Sequence, residues 1–467
     1  MKVLYVAAMA FPCVLAASAP SAALAQGTPP LNPWIATWSD EFTGTSLDPA
    51  KWMAQNIAWP HNNEQQYYSP SNARVANGML TITAERRPQG GRNFTSARVE
   101  TQGRFQQMFG RFEARMKLPR TQSLWPAFWL LPQGMWPPEI DIMEMLGHEP
   151  NKVYFSNHYG QQPTNGHLTT SYVGPDFSAD FNTFGVEWEP GKLDFFVNGV
   201  RRSTHTFRVP EIPMFIILNT AVGGFWPGYP DATTVLPQQH IVDWVRVYKK
   251  LDNPGFDYYG PAANQPLWGY QTFGNAFTDS ARKRNGYFAL KLFGRFTGSF
   301  NNSGIFQDMP AQPGQSWRAT GWFMHPTNDR LQGENSAALN IEFRDAAGNL
   351  LSFVSTRALD AATPVDQYRQ VITEGVAPAG TARARIVPIF FQPAMAAGAA
   401  FIDDLEFGTF LAPCAADFNS DGTNDFFDYL DFAEAFANEN ASADFNDDGS
   451  IDFFDYLDFA QAFSEGC

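Results

Sequence analysis

Basic residues, long apolar runs and nucleotide- or metal-binding motifs are all scarce in this chain, and each scarcity closes off a class of function. Lysine and arginine number 32 against 47 aspartates and glutamates in 467 residues, a formal charge of −15. So acidic a chain has little to offer a phosphate backbone, which argues against nucleic acid as a partner. Past the first 25 residues no run is apolar enough to span a bilayer, so no membrane span is expected. Rossmann, P-loop and catalytic zinc signatures are all missing, and with them any sign of a catalytic cofactor. Only three cysteines are present, Cys13, Cys414 and Cys467.

Aromatic residues, by contrast, reach 15%. With Gly and Asn they suggest β structure that builds clefts as readily as cores. The N-terminus reads as an export signal: a basic Lys2, a mostly apolar stretch to Ala19, and Ala23-Leu24-Ala25 as cleavage site. Residues 1–25 are expected to be removed and the mature protein to be secreted. Cys414 and Cys467 then remain in an oxidising compartment, where a disulfide between them is the favoured reading. Fourteen acids and no lysine or arginine lie from Cys414 to Cys467. The acidity therefore belongs to the tail and points to a bound cation there.

Two long β segments precede that tail. From 32 to 250, short alternating runs such as Phe105–Met116, Val153–His158, Lys192–Val197 and Ile241–Tyr248 are broken by Gly, Pro and Asn. This pattern predicts a large β-sandwich of jelly-roll type. After a junction at Asp252-Asn253-Pro254-Gly255, residues 254–410 predict a second sandwich. The whole is mainly β, closing on a small α-helical domain at 414–467.

Glu139-Ile140-Asp141-Ile142-Met143-Glu144 carries the chemistry. Strand alternation puts Glu139 and Asp141 on one face, opposite Ile140 and Ile142. It would send Glu144 away, unless one bulge after Ile142 returns it to the acidic side. Three acids on one strand face repel each other, a cost that a merely structural sheet avoids. Two carboxyl groups about 5–5.5 Å apart are what glycoside hydrolysis with retention needs, one as nucleophile and one as acid/base. A central Asp would tune both by sharing a proton.

This strand resembles the bulged signature of glycoside hydrolase family 16. The resemblance extends over Trp38-Ser39-Asp40-Glu41-Phe42, Asn62-Asn63-Glu64-Gln65-Gln66, Leu124-Trp125-Pro126-Ala127-Phe128-Trp129, Gly223-Gly224-Phe225-Trp226-Pro227-Gly228 and Asp243-Trp244-Val245-Arg246. It implies a concanavalin-like jelly roll that lays polysaccharide across a concave sheet. It implies Glu139 as nucleophile, Asp141 as assisting acid and Glu144 as acid/base. Trp125 and Trp129 would stack on sugar, and Asn63, Glu64, Arg98, His158 and Trp226 would line the cleft. Glu41 and Asp243 resemble a structural calcium pair on the convex side. The motifs look most like laminarinases acting on β-1,3-glucan. Pro138 departs from the Gly that many of these carry. Met145-Leu146-Gly147-His148-Glu149-Pro150 resembles relatives that cut exopolysaccharides. Mixed-linkage glucan, agar or carrageenan, and exopolysaccharide stay open as substrates. A non-catalytic glucan-binding protein is the alternative from another class, which the intact acid triplet opposes.

Residues 254–410 resemble jelly-roll carbohydrate-binding modules more loosely, with Trp268 and Trp322 as candidate sugar-stacking rings and a spacer domain as the alternative. The tail repeats itself at an interval of 27 residues. Asp417, Asn419, Asp421, Thr423, Asp425 and Asp428 occupy the ligand positions of a calcium loop, and Asp444, Asn446, Asp448, Ser450, Asp452 and Asp455 repeat them. Each loop has glycine at its sixth position. With Asp at the twelfth position, the pair resembles a dockerin. That implies structural Ca2+ and docking to a cohesin-like or cell-surface partner.

Overall fold

The computed structural model describes residues 29–160, 164–261, 265–410, 416–419, 424–446 and 448–465. The expected signal segment, both cysteines of the expected disulfide, Asp421 and Thr423 lie outside them. Two compact units are present, Leu31–Phe410 and the C-terminal helices.

The larger unit holds two β-sandwiches. In the first, a seven-stranded sheet runs in the order Gly166–Val173, Lys152–Tyr159, Glu139–Met145, Leu124–Pro132, Met214–Val222, Arg98–Glu100, Met53–Ala54. An eight-stranded sheet built around Gly110–Lys117 and Gln238–Lys249 backs it. The core between them takes alternate residues of each strand: Phe112, Ala114 and Met116 from one sheet, Ile216 and Leu218 from the other. Met214–Val222 is buried along its whole length, because it sits between neighbouring strands with one face in the core and the other beneath cavity-wall side chains such as Trp129.

The run expected at Phe105–Met116 starts late, at Gly110. Phe109 is left-handed with φ 61°, and Gly110 follows at φ 117°. A Cβ at Gly110 would lie 2.2 Å from the Tyr248 carbonyl oxygen, so only glycine lets the strand begin there.

The second sandwich pairs two five-stranded sheets, one centred on Arg383–Gln392 and the other on Ala399–Thr409. Its core includes Leu290, Trp317, Phe323, Ile341 and Phe390. The sequence boundary near 250–254 separates the two only loosely. Ile35 and Leu251 are buried in the second core, although the strand Ile35–Asp40 pairs with Gln238–Lys249 of the first sandwich. Asn32 exchanges two backbone hydrogen bonds with Thr409 (2.7 and 3.1 Å). A Cβ on neighbouring Gly408 would meet the Asn32 carbonyl oxygen at 2.2 Å. Trp268, expected as a sugar-stacking ring, instead packs edge-on against Phe109 of the first sandwich at 5.6 Å and against Tyr258 at 5.1 Å. Trp322 carries the Arg284 guanidinium over its ring at 3.9 Å.

In the C-terminal unit, helices Phe426–Ala437 and Phe453–Glu465 pack through Phe432 and Phe459, whose rings stack at 3.9 Å. Asp425 caps the first helix in a reciprocal box with Asp428. No helix among the described residues is long and apolar enough to cross a membrane.

Candidate active site

The strand Glu139–Met145 lies between Leu124–Pro132 and Lys152–Tyr159, and its register shifts against both neighbours. Trp129 faces Asp141, yet Phe128 faces Met143. Asp141 faces Ser156, yet Glu144 faces Tyr154. The bulge therefore falls at Ile142-Met143. Both of those side chains are fully buried in the core, together with Ile140 and Met145. Two consecutive inward residues return Glu144 to the side of Glu139 and Asp141. All three acids line one cavity of 820 Å³ on the open face of the seven-stranded sheet.

Burial dominates the electrostatics. Desolvation, joined by the charge of Asp141, pushes Glu139 and Glu144 well above the usual carboxylate range. Asp141, 3% exposed, is pushed up to about 8 by burial. Three acids this close cannot all ionise, so the cluster holds protons at neutral pH and titrates as a unit. Trp125, His158 and a hydrogen bond from Trp136 to Glu139 counter this. Trp125 Nε1 donates to Glu144 Oε1 at 2.9 Å. His158, facing Glu139 across the strand pair, brings Nε2 within 3.4 Å of Glu139 Oε1 and 3.1 Å of Asp141 Oδ2. Asp141 Oδ2 itself is buried and has no aligned hydrogen-bond donor.

The rest of the wall is aromatic and hydrogen-bonded. Trp129 Nε1 donates to Asn219 Oδ1 (2.8 Å), Asn219 Nδ2 to Tyr68 (3.0 Å), and the Tyr68 hydroxyl to Glu64 Oε2 (2.9 Å). Glu64 is buried, and desolvation raises its pKa against the pull of donors from Gln66, Tyr68 and Asn62. Arg98, 4% exposed, pairs with Glu100 at 2.9 Å and lies between the rings of Trp59 and Trp129 (4.3 and 4.8 Å). Trp226 stands edge-on to Trp125 at 5.5 Å and to Tyr154 at 4.9 Å.

Of the residues expected here, Glu139, Asp141, Glu144, Trp125, Trp129, Glu64, Arg98, His158 and Trp226 line this one cavity. Asn63 does not. It is exposed and donates to Tyr229 at 2.6 Å, while its neighbour Asn62 forms the wall. The two asparagines are consecutive left-handed residues (φ 55° and 56°), a turn whose outward member the sequence does not reveal. Tyr154, Ser156, Asn219 and Tyr68 were not foreseen. The first two share strand parity with His158, which is the signal that was available.

Glu41 and Asp243 part from their expected role. Glu41 receives two hydrogen bonds from Arg246 (2.9 and 2.8 Å), and Asp243 is bound by Arg115. An arginine neutralises each carboxylate that a cation would need.

In the C-terminal unit, Asp444 accepts from the backbone N–H groups of Asp448 (3.1 Å) and Gly449 (3.0 Å), around Gly449 at φ 86°. Asn446 and Asp448 accept from Asp448 and Ser450 N–H in the same turn. Asp452 caps its helix by accepting from Phe454 N. Asp455 is fully buried and accepts from Phe445, Asn446 and Asp452 N–H. In the first repeat Asp428 accepts from Asn419 and Asp425 N–H, and Asp417 precedes it.

The model of the family "Glycosyl hydrolases family 16" matches residues 61–246. A beta-glucanase of Rhodothermus marinus is 37% identical over 253 residues, spanning 47% of this chain and 86% of the relative. A glucan endo-1,3-beta-glucosidase of Cryptopygus antarcticus is 36% identical, spanning 42% and 84%. The endo-1,3-1,4-beta-glycanase ExsH of Rhizobium meliloti is 33% identical, spanning 45% and 51%. Among solved structures, the laminarinase catalytic domain of Thermotoga petrophila is 36% identical, with TM-score 0.43 over 46% of this chain and 98% of that one.

Proposed function

Because the chain belongs to glycosyl hydrolases family 16, and so is a glycoside hydrolase, we propose that it cleaves β-1,3-linked glucan internally and with retention. One observation carries this reading: the bulge at Ile142-Met143 that turns Glu139, Asp141 and Glu144 into one cavity. The names of the beta-glucanase and endo-1,3-beta-glucosidase relatives support the substrate.

In the proposed double displacement, Glu139 attacks the anomeric carbon. Glu144, kept protonated by burial, gives its proton to the leaving oxygen as the glycosidic bond breaks, then takes one from the water that attacks the anomeric carbon and frees Glu139. Asp141, itself protonated, shares its proton with Glu139 as the glycosyl-enzyme bond breaks and charge returns to that carboxylate, with the His158 ring close to both. Trp125 and Trp129 supply apolar faces for the sugar rings. Trp125 also orients Glu144 through its N–H.

A mixed-linkage glucan is the second reading. The similarity to an endo-1,3-1,4-beta-glycanase favours it.

Secretion is part of the same proposal, and the resemblance of residues 1–25 to an export signal supports it. The C-terminal repeats offer only oxygen donors around a left-handed glycine, a set that fits Ca2+. When bound there, calcium would hold the turns of the two loops together; Asp417, Asn419, Asp444, Asn446 and Asp448 would hold it. The resemblance to dockerins supports a cohesin-like or cell-surface partner.

The test is reducing-sugar release from laminarin, mixed-linkage glucan, agarose, carrageenan and a succinoglycan-type polymer, with Glu139→Gln as control. Release from laminarin that the control abolishes is expected. Release from another polymer alone would move the substrate, and silence on all would overturn the catalytic reading.

A further inference from the structure

We propose that Glu139, Asp141 and His158 also form a capture site for a borderline divalent transition metal, of which Zn2+ is the type, and that its occupation silences the enzyme. One ligand atom from each of the three lies within 4.8 Å of the other two. The His158 Nε2 distances to Asp141 Oδ2 (3.1 Å) and Glu139 Oε1 (3.4 Å) are those of neighbouring vertices around one ion. Bonds of about 2.0–2.2 Å in tetrahedral to octahedral geometry place their ligand atoms about 3–3.5 Å apart.

A second observation is independent of that spacing. Asp141 Oδ2 is fully buried and, although His158 Nε2 lies 3.1 Å away, receives no aligned hydrogen bond. Once Asp141 gives up its proton, that oxygen is a costly buried acceptor without an aligned donor, and a cation that displaces the proton satisfies it. The surroundings hold the donors in place. The His158 ring is flanked by His167 at 5.3 Å and Trp136 at 6.2 Å, and the strand pairing aligns it with Glu139.

The donor set selects the ion. One imidazole nitrogen and two carboxylate oxygens, with the fourth position open to the cavity, suit Zn2+ and its first-row neighbours. Ca2+ asks for six to eight oxygens and is poorly served. An ion seated here covers the oxygen proposed to attack sugar, so metal and glycan compete for one place. The site rests on the cluster's geometry and stands apart from the choice of glucan.

The experiment uses the full chain in excess calcium, which saturates all-oxygen loops and leaves a nitrogen-containing site free. Zn2+ is the probe, in two readouts. In laminarin hydrolysis, Zn2+ is expected to raise the apparent KM and leave kcat unchanged at saturating substrate. The inhibition constant in His158→Gln should be at least about tenfold weaker. In titration calorimetry, the native chain should bind one more Zn2+ than either His158→Gln or Asp141→Asn. Equal stoichiometry in all three proteins, or inhibition that lowers kcat without moving KM, would overturn the site. If laminarin is not cleaved at all, the substrate reading fails and calorimetry still decides the metal site.

Discussion

The two sandwiches treat their carboxylates in opposite ways. On the second, Asp308 takes a two-pronged contact from Arg385 (2.6 and 2.9 Å), Glu342 is paired with Arg344 at 2.5 Å and Glu374 with Arg318 at 2.5 Å. The convex side of the first behaves likewise, with Glu41 on Arg246 and Asp243 on Arg115. On its concave side, Glu139, Asp141 and Glu144 have no Lys or Arg partner among the described residues; the first two share one histidine and the third takes the Trp125 N–H. Paired acids tie strands together, whereas unpaired buried acids store protons at a cost to the fold. The cations around an acid, more than its burial, separate the structural from the chemical ones.

Six substitutions break or sharpen that contrast. The largest effect is expected from Glu139→Gln, which should cut turnover at least about a thousandfold with unchanged circular dichroism. Glu342→Gln on the second sandwich should stay within about twofold of native activity. Trp268→Ala comes next. It removes the ring that joins the sandwiches at Phe109 and should cost about 2–4 kcal/mol. In calorimetry the single transition expected of an interlocked pair should split in two; an unsplit, unshifted transition would show the joint to be incidental.

Asp141→Asn should act in the opposite sense on stability. The folded pKa near 8 lies above the ordinary value near 4. The contribution of the protonated acid is therefore complete below about pH 4 and is lost as pH rises through about 8. The Asn variant should melt on the order of 2–4 °C higher than native at pH 8, with a smaller gain at pH 4, while losing activity. A gain that grows toward low pH would contradict the desolvation account.

Trp125→Phe keeps a ring but removes the N–H that lowers the Glu144 pKa. Turnover should fall up to about tenfold. The alkaline limb of the pH–rate profile should move up, because the acid form then persists to higher pH. Smallest of all, Asp308→Asn should lose about 1 kcal/mol with its Arg385 contact and leave the pH profile untouched.

Much of the site could be read before any folding was known. The alternation of Glu139, Ile140 and Asp141 announced a two-faced strand, and the extra apolar Met143 announced the bulge, because a core face accepts two consecutive hydrophobic residues where a cleft face does not. Asn62 and Asn63 were indistinguishable, since both are left-handed and only the packing of Tyr229 decides which one turns outward. Glu41 and Asp243 suggested a cation site. The arginines that claim them are brought in by strand register, Arg115 lying opposite Trp244 beside Asp243.

Composition and local pattern by themselves determined that the chain is β-rich, that its acidity sits at the C-terminal end and that one strand carries three acids, Glu139 and Asp141 among them on a common face. These follow from periodicity and charge, which act between near neighbours. Only the tertiary structure decided that His158 would meet Glu139 and Asp141 and that Trp268 would serve a core instead of a surface. It also decided that Ile35 and Leu251 would cross into the second sandwich. Those contacts join residues far apart in the chain, and their partners are chosen by strand order and the filling of space, which no local pattern encodes.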